Sequence, residues 1–236
     1  MTKARVAAGT IVGPHHRKNN EENQDALFYQ QEEDFTVIAA ADGAGSLKNS
    51  KFGAELVSYI SVEETLNSLL NEESTIEQAL RNGVERAKDD LMAQNNWETM
   101  GCTLSLAVHS PDGWGVALVG DAFAVVSQSI TEHQLIHREP DSEYANITKL
   151  ITSKNYDPLY VFGDEKICAV SVASDGLTNL SVNISEHTAS PNFWTPLIRR
   201  ASENEMNVEA FLDYLNKNEK LYDDTTLVIA SSIVQE

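Results

Sequence analysis

Apolar residues along this chain fall into short blocks whose period changes in a definite order. ARVAAGTIVG, ALFYQQ and FTVIAAAD have the length and composition of strands, the last two joined by the acidic turn EED. The polar, His-rich stretch GPHHRKNNEENQ between the first and second reads as a loop. From about Ser50 the period lengthens: Phe52, Leu56 and Ile60, then Leu66, Leu69 and Leu70, predict a helix with one buried face. A second helix over residues 74–95 places Ile76, Leu80, Val84, Ala87 and Leu91 on one side. Ser74 followed by Glu77 has the form of a capping box at its start. Strands return at GCTLSLAVHS and GWGVALVG, joined by the hairpin turn PDG, and AFAVVSQ follows after a tight turn at Gly120-Asp121. Residues 131–163 carry charge, Pro140 and Pro158 but no long periodic run. ICAVSVASDG is a further buried strand, residues 193–220 read as helix in pieces, and TTLVIASSIV is a closing strand. With no internal repeat or linker, the expectation is one α+β domain over residues 1–236, helices packed on sheets.

Composition narrows the function classes. Hydrophobic residues make up 42% and charged residues 22%, enough for a full core. With 17 Lys+Arg against 36 Asp+Glu the formal charge is −19, which disfavours nucleic acid and anionic membrane surfaces as partners. Cys102 and Cys168 lie in apolar runs and read as buried small hydrophobes, without a disulfide framework. The first residues, MTKARVAAGTIVG, lack the apolar core of a signal peptide, and no run reaches the roughly 20 apolar residues of a membrane span. A cytoplasmic location is the expectation.

The candidate chemistry lies in aspartates at strand ends. Asp25 opens ALFYQQ, Asp42-Gly43 ends FTVIAAA, Gly120-Asp121 ends GWGVALV, Asp175-Gly176 ends AVSVAS, and Asp223-Asp224 opens TTLVIAS. One Asp-Gly is an ordinary turn. Five such positions in one chain, if their strands are neighbours, would bring several carboxylates to one spot, where they repel unless a cation joins them. Mg²⁺ and Mn²⁺ prefer oxygen ligands. Glycine after Asp42 would let a backbone carbonyl approach an ion as well. No Walker-type loop, dinucleotide fingerprint, zinc spacing or cysteine nucleophile motif is present.

In their order, NQDA (23–26), AADGAG (40–45), GCTLSLAV (101–108), LVGDAFAVV (118–126), ASDGLTN (173–179) and DDTTLVIA (223–230) resemble the successive motifs of type 2C metal-dependent Ser/Thr protein phosphatases, in a divergent bacterial form. The resemblance implies a four-layer α-β-β-α sandwich, two antiparallel sheets flanked by helices, with metals at one end. It implies Mg²⁺ or Mn²⁺ as cofactor: Asp42 bridging two ions, Gly43 giving its carbonyl to the second, Asp175 and Asp223 completing the first. Asp223 is the ligand because Asp224 falls on the Asn of the family's Asp-Asn-x-Thr. Asp25 would hold metal-bound water, and Asp121 falls where bacterial members bind a third ion. The implied reaction is hydrolysis of phosphoserine or phosphothreonine in proteins by a hydroxide bridging two ions, opposite a cognate Ser/Thr kinase.

The chain also departs from the family. The phosphate-clamping arginine usually sits a few residues before NxD; here the nearest is Arg17, so Arg17 reaches, or His15, His16 or Lys18 replaces it, or the metals hold phosphate alone. Ala44 stands where eukaryotic members carry histidine, DGAGS replaces DGxGG, and SEYANITKLITS (142–153) rewrites the flap. These departures leave a second reading, a catalytically weak phosphoprotein-binding domain. A third, a metal-free acidic interaction domain, makes all five aspartates coincidental turns.

Overall fold

The structure is a computed structural model, and it describes residues 4–71, 74–138 and 148–232. In chain order the elements are β1 (Arg5–Ile11), α1 (Pro14–Asn19), β2 (Asp25–Glu32), β3 (Phe35–Asp42), α2 (Ser50–Leu69), α3 (Ile76–Met92), β4 (Leu104–Ser110), β5 (Gly113–Val119) and β6 (Phe123–Ser127). They continue with β7 (His133–His137), β8 (Leu159–Gly163), β9 (Ala169–Ala173), α4 (Thr178–Ser181), β10 (Val182–Asn183), β11 (Thr188–Ala189), α5 (Pro191–Ser202), α6 (Val208–Lys217) and β12 (Thr225–Ser231).

Two five-stranded antiparallel sheets carry the fold, ordered β1-β12-β9-β6-β7 and β2-β3-β4-β5-β8, with β10-β11 as a small ribbon. Strand alternation builds the layers. On β3, Val37, Ala39 and Ala41 face α2 and α3, whereas Ile38 and Ala40 face the other sheet. On β12, Leu227 and Ile229 meet Trp194, Ile198 and Leu212 of α5 and α6, and Val228 and Ala230 turn to the inter-sheet core. Three apolar clusters separated by two sheets make the expected α-β-β-α sandwich.

Three local readings are corrected, and a fourth, the tight turn at Gly120-Asp121, is present and refined. The His-rich loop contains helix α1, because Pro14 supplies a pre-set φ at its start and Asn20 adopts the left-handed conformation (φ 58°) that ends it. The capping box of α3 is Thr75 with Gln78, one residue beyond Ser74 and Glu77. On α2 Leu66 and Leu69 are buried as expected, but the first half of the buried face is made largely of small residues, including Gly53, Ala54, Ser58 and Ser61, while Phe52 is 50% exposed. Close backbone approach explains it: a Cβ on Gly53 would lie 1.9 Å from the Met100 carbonyl oxygen, and one on Gly83 of α3 would lie 2.0 Å from Thr65 Oγ1. Finally, the tight turn at Gly120-Asp121 is a crossover. β5 lies in one sheet and β6 in the other, and Gly120 has φ +89°. That crossover puts Asp121 at an end of the inter-sheet space.

Candidate active site

Asp25 and Asp42 are direct partners in the β2–β3 ladder. Antiparallel register makes the first residue of one strand face the last of the other, so both carboxylates stand at one end of the sandwich. Asp25 is 5% exposed, and neither of its carboxyl oxygens has a hydrogen-bond partner. Burial raises its pKa to about 7; the hydroxyls of Ser174 and Thr226 oppose the rise without forming hydrogen bonds to it, and Asp224 and Asp175 add to it.

Asp42 is fixed through its backbone. Thr103 N donates to the Asp42 carbonyl at 2.8 Å, Asp42 N donates to Thr103 Oγ1 at 3.1 Å, and Gly43 N donates to Gln24 O at 3.2 Å. A Cβ on Gly43 would come within 2.7 Å of the Gln24 carbonyl oxygen and 2.8 Å of the Ser50 carbonyl carbon, so glycine is required there by packing. Burial raises the Asp42 pKa to about 10, reinforced by the charges of Asp25, Asp175 and Asp121. Asp175 opens the short 3-10 turn after β9, and its pKa rises to about 6 through burial and the charges of Asp121 and Asp223. The β9 end is tied to β12 by Ser174 N to Thr226 O (3.1 Å) and Thr226 N to Ser174 Oγ (2.9 Å). Asp121 is exposed, and its Oδ2 accepts from Thr148 Oγ1 at 2.6 Å.

A cleft of about 660 Å³ is lined by Asp42, Gly43, Asp121, Asp175, Asp223 and Asp224 together with His16, Glu21, Thr103, Thr148, Leu150 and Tyr222, whereas Asp25 does not line it. No lysine or arginine lines it among the described residues. Clustered carboxylates that raise one another's pKa, with a buried unpartnered carboxyl beneath them, fit hard divalent cations, which would supply the missing positive charge. The residues that could hold such ions offer oxygen: Asp42, Gly43, Asp121, Asp175 and Asp223 all line the cleft. Two triplets of side-chain ligand atoms lie within 4.8 Å of one another among the described residues, His15–His16–Glu21 and His16–Asp223–Asp224, and both include His16.

The doublet Asp223-Asp224 divides its work. Asp224 is 3% exposed and accepts from Gly13 N (2.7 Å), Gln24 N (2.6 Å) and His16 Nδ1 (2.8 Å). Asp223 is exposed, faces the cleft, and accepts from Asp224 N at 2.8 Å through Oδ1.

The cleft therefore brings together Asp42, Gly43, Asp121, Asp175, Asp223 and His16, with Asp25 paired to Asp42 in the ladder. Among the described residues, however, neither triplet of ligand atoms within 4.8 Å includes Asp42 or Asp175. Arg17 is not in the cleft group: it is exposed, does not line the cleft, and donates from Nη2 to the Val12 carbonyl at 3.3 Å. His15 lines the cleft, whereas Lys18 does not. Of the flap stretch 142–153, residues 142–147 lie outside the described residues; Thr148 and Leu150 line the cleft, and Ile151 N donates to Cys102 O at 2.9 Å. Residue patterns missed Asp224's hold on the His-rich loop, along with Thr103, Thr148 and Tyr222. The doublet was the available signal for Asp224, because successive residues at a strand start point opposite ways.

Comparison with known proteins follows the same lines. The protein phosphatase 2C family profile matches residues 12–215. Among solved structures, the chain is similar to a Caenorhabditis elegans sex-determining protein (TM-score 0.71, 14% identity, covering 98% of this chain and 65% of that one). It thus spans about 65% of the length of the worm protein. It is also similar to a serine/threonine phosphatase of Staphylococcus aureus (TM-score 0.64, 21% identity, covering 100% of this chain and 96% of that one). A third similar structure is a serine/threonine phosphatase of Mycobacterium tuberculosis (TM-score 0.63, 14% identity, covering 99% and 100%). At these identities the structures establish a shared fold. No curated protein matches the chain.

Proposed function

The chain belongs to the protein phosphatase 2C family, and from that premise we propose that it is a Mg²⁺- or Mn²⁺-dependent phosphatase of phosphoserine and phosphothreonine in proteins. One observation carries the proposal: Asp25, buried and without a hydrogen-bond partner, sits opposite Asp42 in a carboxylate cluster whose described lining has no lysine or arginine. In this reading Asp42, Asp175, Asp223 and the Gly43 carbonyl would hold two ions, and Asp121 would hold a third. Bound ions supply charge neutralisation at the phosphoryl oxygens and a more acidic water for in-line attack.

The chain's own residues do the rest. Asp25, whose buried carboxyl oxygens have no hydrogen-bond partner, would accept a hydrogen bond from the attacking water and orient it. Thr103 and Gly43 fix the Asp42 backbone, so ligand geometry is set before substrate arrives. His16 contacts substrate phosphate; Arg17 would do so only by leaving the Val12 carbonyl. The implied partners are a phosphorylated protein and a Ser/Thr kinase. Among the described residues no helix is long and apolar enough to cross a membrane.

The test is Mn²⁺-dependent release of phosphate from a phosphoserine peptide, abolished by chelator. The turned-away Arg17 favours a second reading, a phosphoprotein-binding domain with little turnover. That reading expects saturable phosphopeptide binding without product in the same assay.

A further inference from the structure

We propose that Asp224 is a positioning residue that orients the His16 imidazole toward substrate phosphate, a proposal that rests on the phosphatase reading above. The loop between β1 and β2 is stapled at both ends to this one carboxylate, with Gly13 N on Oδ1 at 2.7 Å and Gln24 N on Oδ2 at 2.6 Å. His16 Nδ1 makes the third contact, 2.8 Å from Oδ2, and it bridges 208 positions of sequence. Two backbone N–H groups already identify Asp224 as an acceptor, so the imidazole must carry its proton on Nδ1 to join them. Its Nε2 is then the ring atom left for the cleft that His16 lines. That atom lies 3.6 Å from Glu21 Oε2, too long for a hydrogen bond.

The loop cannot drift from this position. A Cβ on Gly13 would lie 2.2 Å from the Asp223 carbonyl carbon, so the chain runs flush against the doublet. Asparagine, which the resemblance expects at 224, has one acceptor oxygen and could not serve donors on both sides. A carboxylate can, and it also orients an imidazole in the way that carboxylate partners fix histidine ring and tautomer elsewhere. His16 thereby reaches the cleft in place of Arg17, and with both ring nitrogens protonated it donates Nδ1–H to Asp224 and Nε2–H to a phosphoryl oxygen.

A double-mutant cycle on the full chain with Mn²⁺ and a phosphoserine peptide tests this. His16→Ala and Asp224→Asn are each expected to lower kcat/KM by about 10- to 100-fold, and the double variant to be no worse than His16→Ala alone. Additive losses would overturn the proposal, since Asp224 would then act independently of His16. Loss of Mn²⁺ binding in His16→Ala, followed by calorimetry, would overturn it too, by making His16 a metal ligand. Should Asp224→Asn fail to fold, ¹⁵N NMR of the wild-type imidazole decides: a proton on Nδ1 is expected, and a neutral ring protonated only on Nε2 refutes the assignment. Absence of turnover in the wild type would sink the phosphatase reading instead, and the NMR result would still report the tautomer.

Discussion

Along β3, Ile38 and Ala40 face the opposite sheet within a wholly apolar cluster, and two residues further on the strand ends in Asp42. β12 makes the same change in reverse, from the Thr225-Thr226 pair next to Asp223-Asp224 into Val228 and Ala230. One inter-sheet space therefore has two ends of opposite chemistry. At the inner end Ile38, Trp114, Val126 and Val170 bury apolar surface, which stabilises the fold by about 25 cal/mol per Å² removed from water. At the outer end carboxylates are gathered with their pKa values raised by burial and mutual repulsion, an arrangement that destabilises the fold unless cations join them. The sandwich supports one end with the other.

The largest expected effect separates the two ends. Asp42→Asn or Asp175→Asn should lower Mn²⁺-dependent kcat/KM on a phosphopeptide by about 10³-fold or more, since several kcal/mol of transition-state stabilisation are lost with a metal ligand. Circular dichroism should still show a folded chain. Full activity in both variants would refute the site. Ile38→Ala should do the converse, with about 2–5 kcal/mol of stability lost from a fully buried position. Turnover per folded molecule should stay at the wild-type level. If Ile38→Ala abolished turnover in folded protein, the two ends would not be separable.

Next in size is stabilisation by the ions themselves. A ligand that binds only the folded chain, at 100 times its Kd, adds about 2.7 kcal/mol, or roughly 5–10 °C in a protein of this size. Mn²⁺ should therefore raise the melting temperature of the wild type and of Ile38→Ala by similar amounts, and should barely move Asp42→Asn. An unchanged melting temperature in the wild type would favour the metal-free reading of the acidic cluster.

The comparison also shows why only part of the molecule was legible from its residues. Asp25 opposite Asp42 could be anticipated, because two strand-like runs joined by the short turn EED must pair, and pairing sets first against last. That Asp175 and Asp223 arrive at the same place needs β9 beside β12, a pairing between distant segments that no local pattern carries. The resemblance of the ordered motifs carried it instead. The small-residue first half of the α2 face escaped the periodicity argument because periodicity counts large apolar side chains, and here close approach of backbones decides which side is buried. Asp224 with His16 was hidden for the same reason as the sheet order: the contact spans 208 positions.

The smallest expected effect is a slope with pH. Asp25 and Asp175 have folded pKa values of about 7 and about 6 against an ordinary 3.8, burial being the first cause in both. A carboxyl whose folded pKa is raised binds its proton more tightly in the native state. Its contribution is therefore fully present below the unfolded value near 4 and is lost as pH rises through the folded value. In chelator, stability should fall between about pH 4 and pH 7, by up to about 1.4 kcal/mol per pH unit for each group concerned. The general acidity of the chain adds a slope of the same sign, so the decisive quantity is the difference between wild type and Asp25→Asn, whose uncharged amide has no proton to release. That variant should have the shallower fall of melting temperature with pH in chelator. Saturating Mn²⁺ should reverse the wild-type slope, because ligand carboxylates must lose their protons to bind the ion and binding strengthens as pH rises. Identical slopes for the two proteins in chelator would mean that Asp25 is ionised in the metal-free fold as readily as in the unfolded chain. The outer end of the sandwich would then impose no such cost, and the contrast with the apolar end would lose its energetic basis.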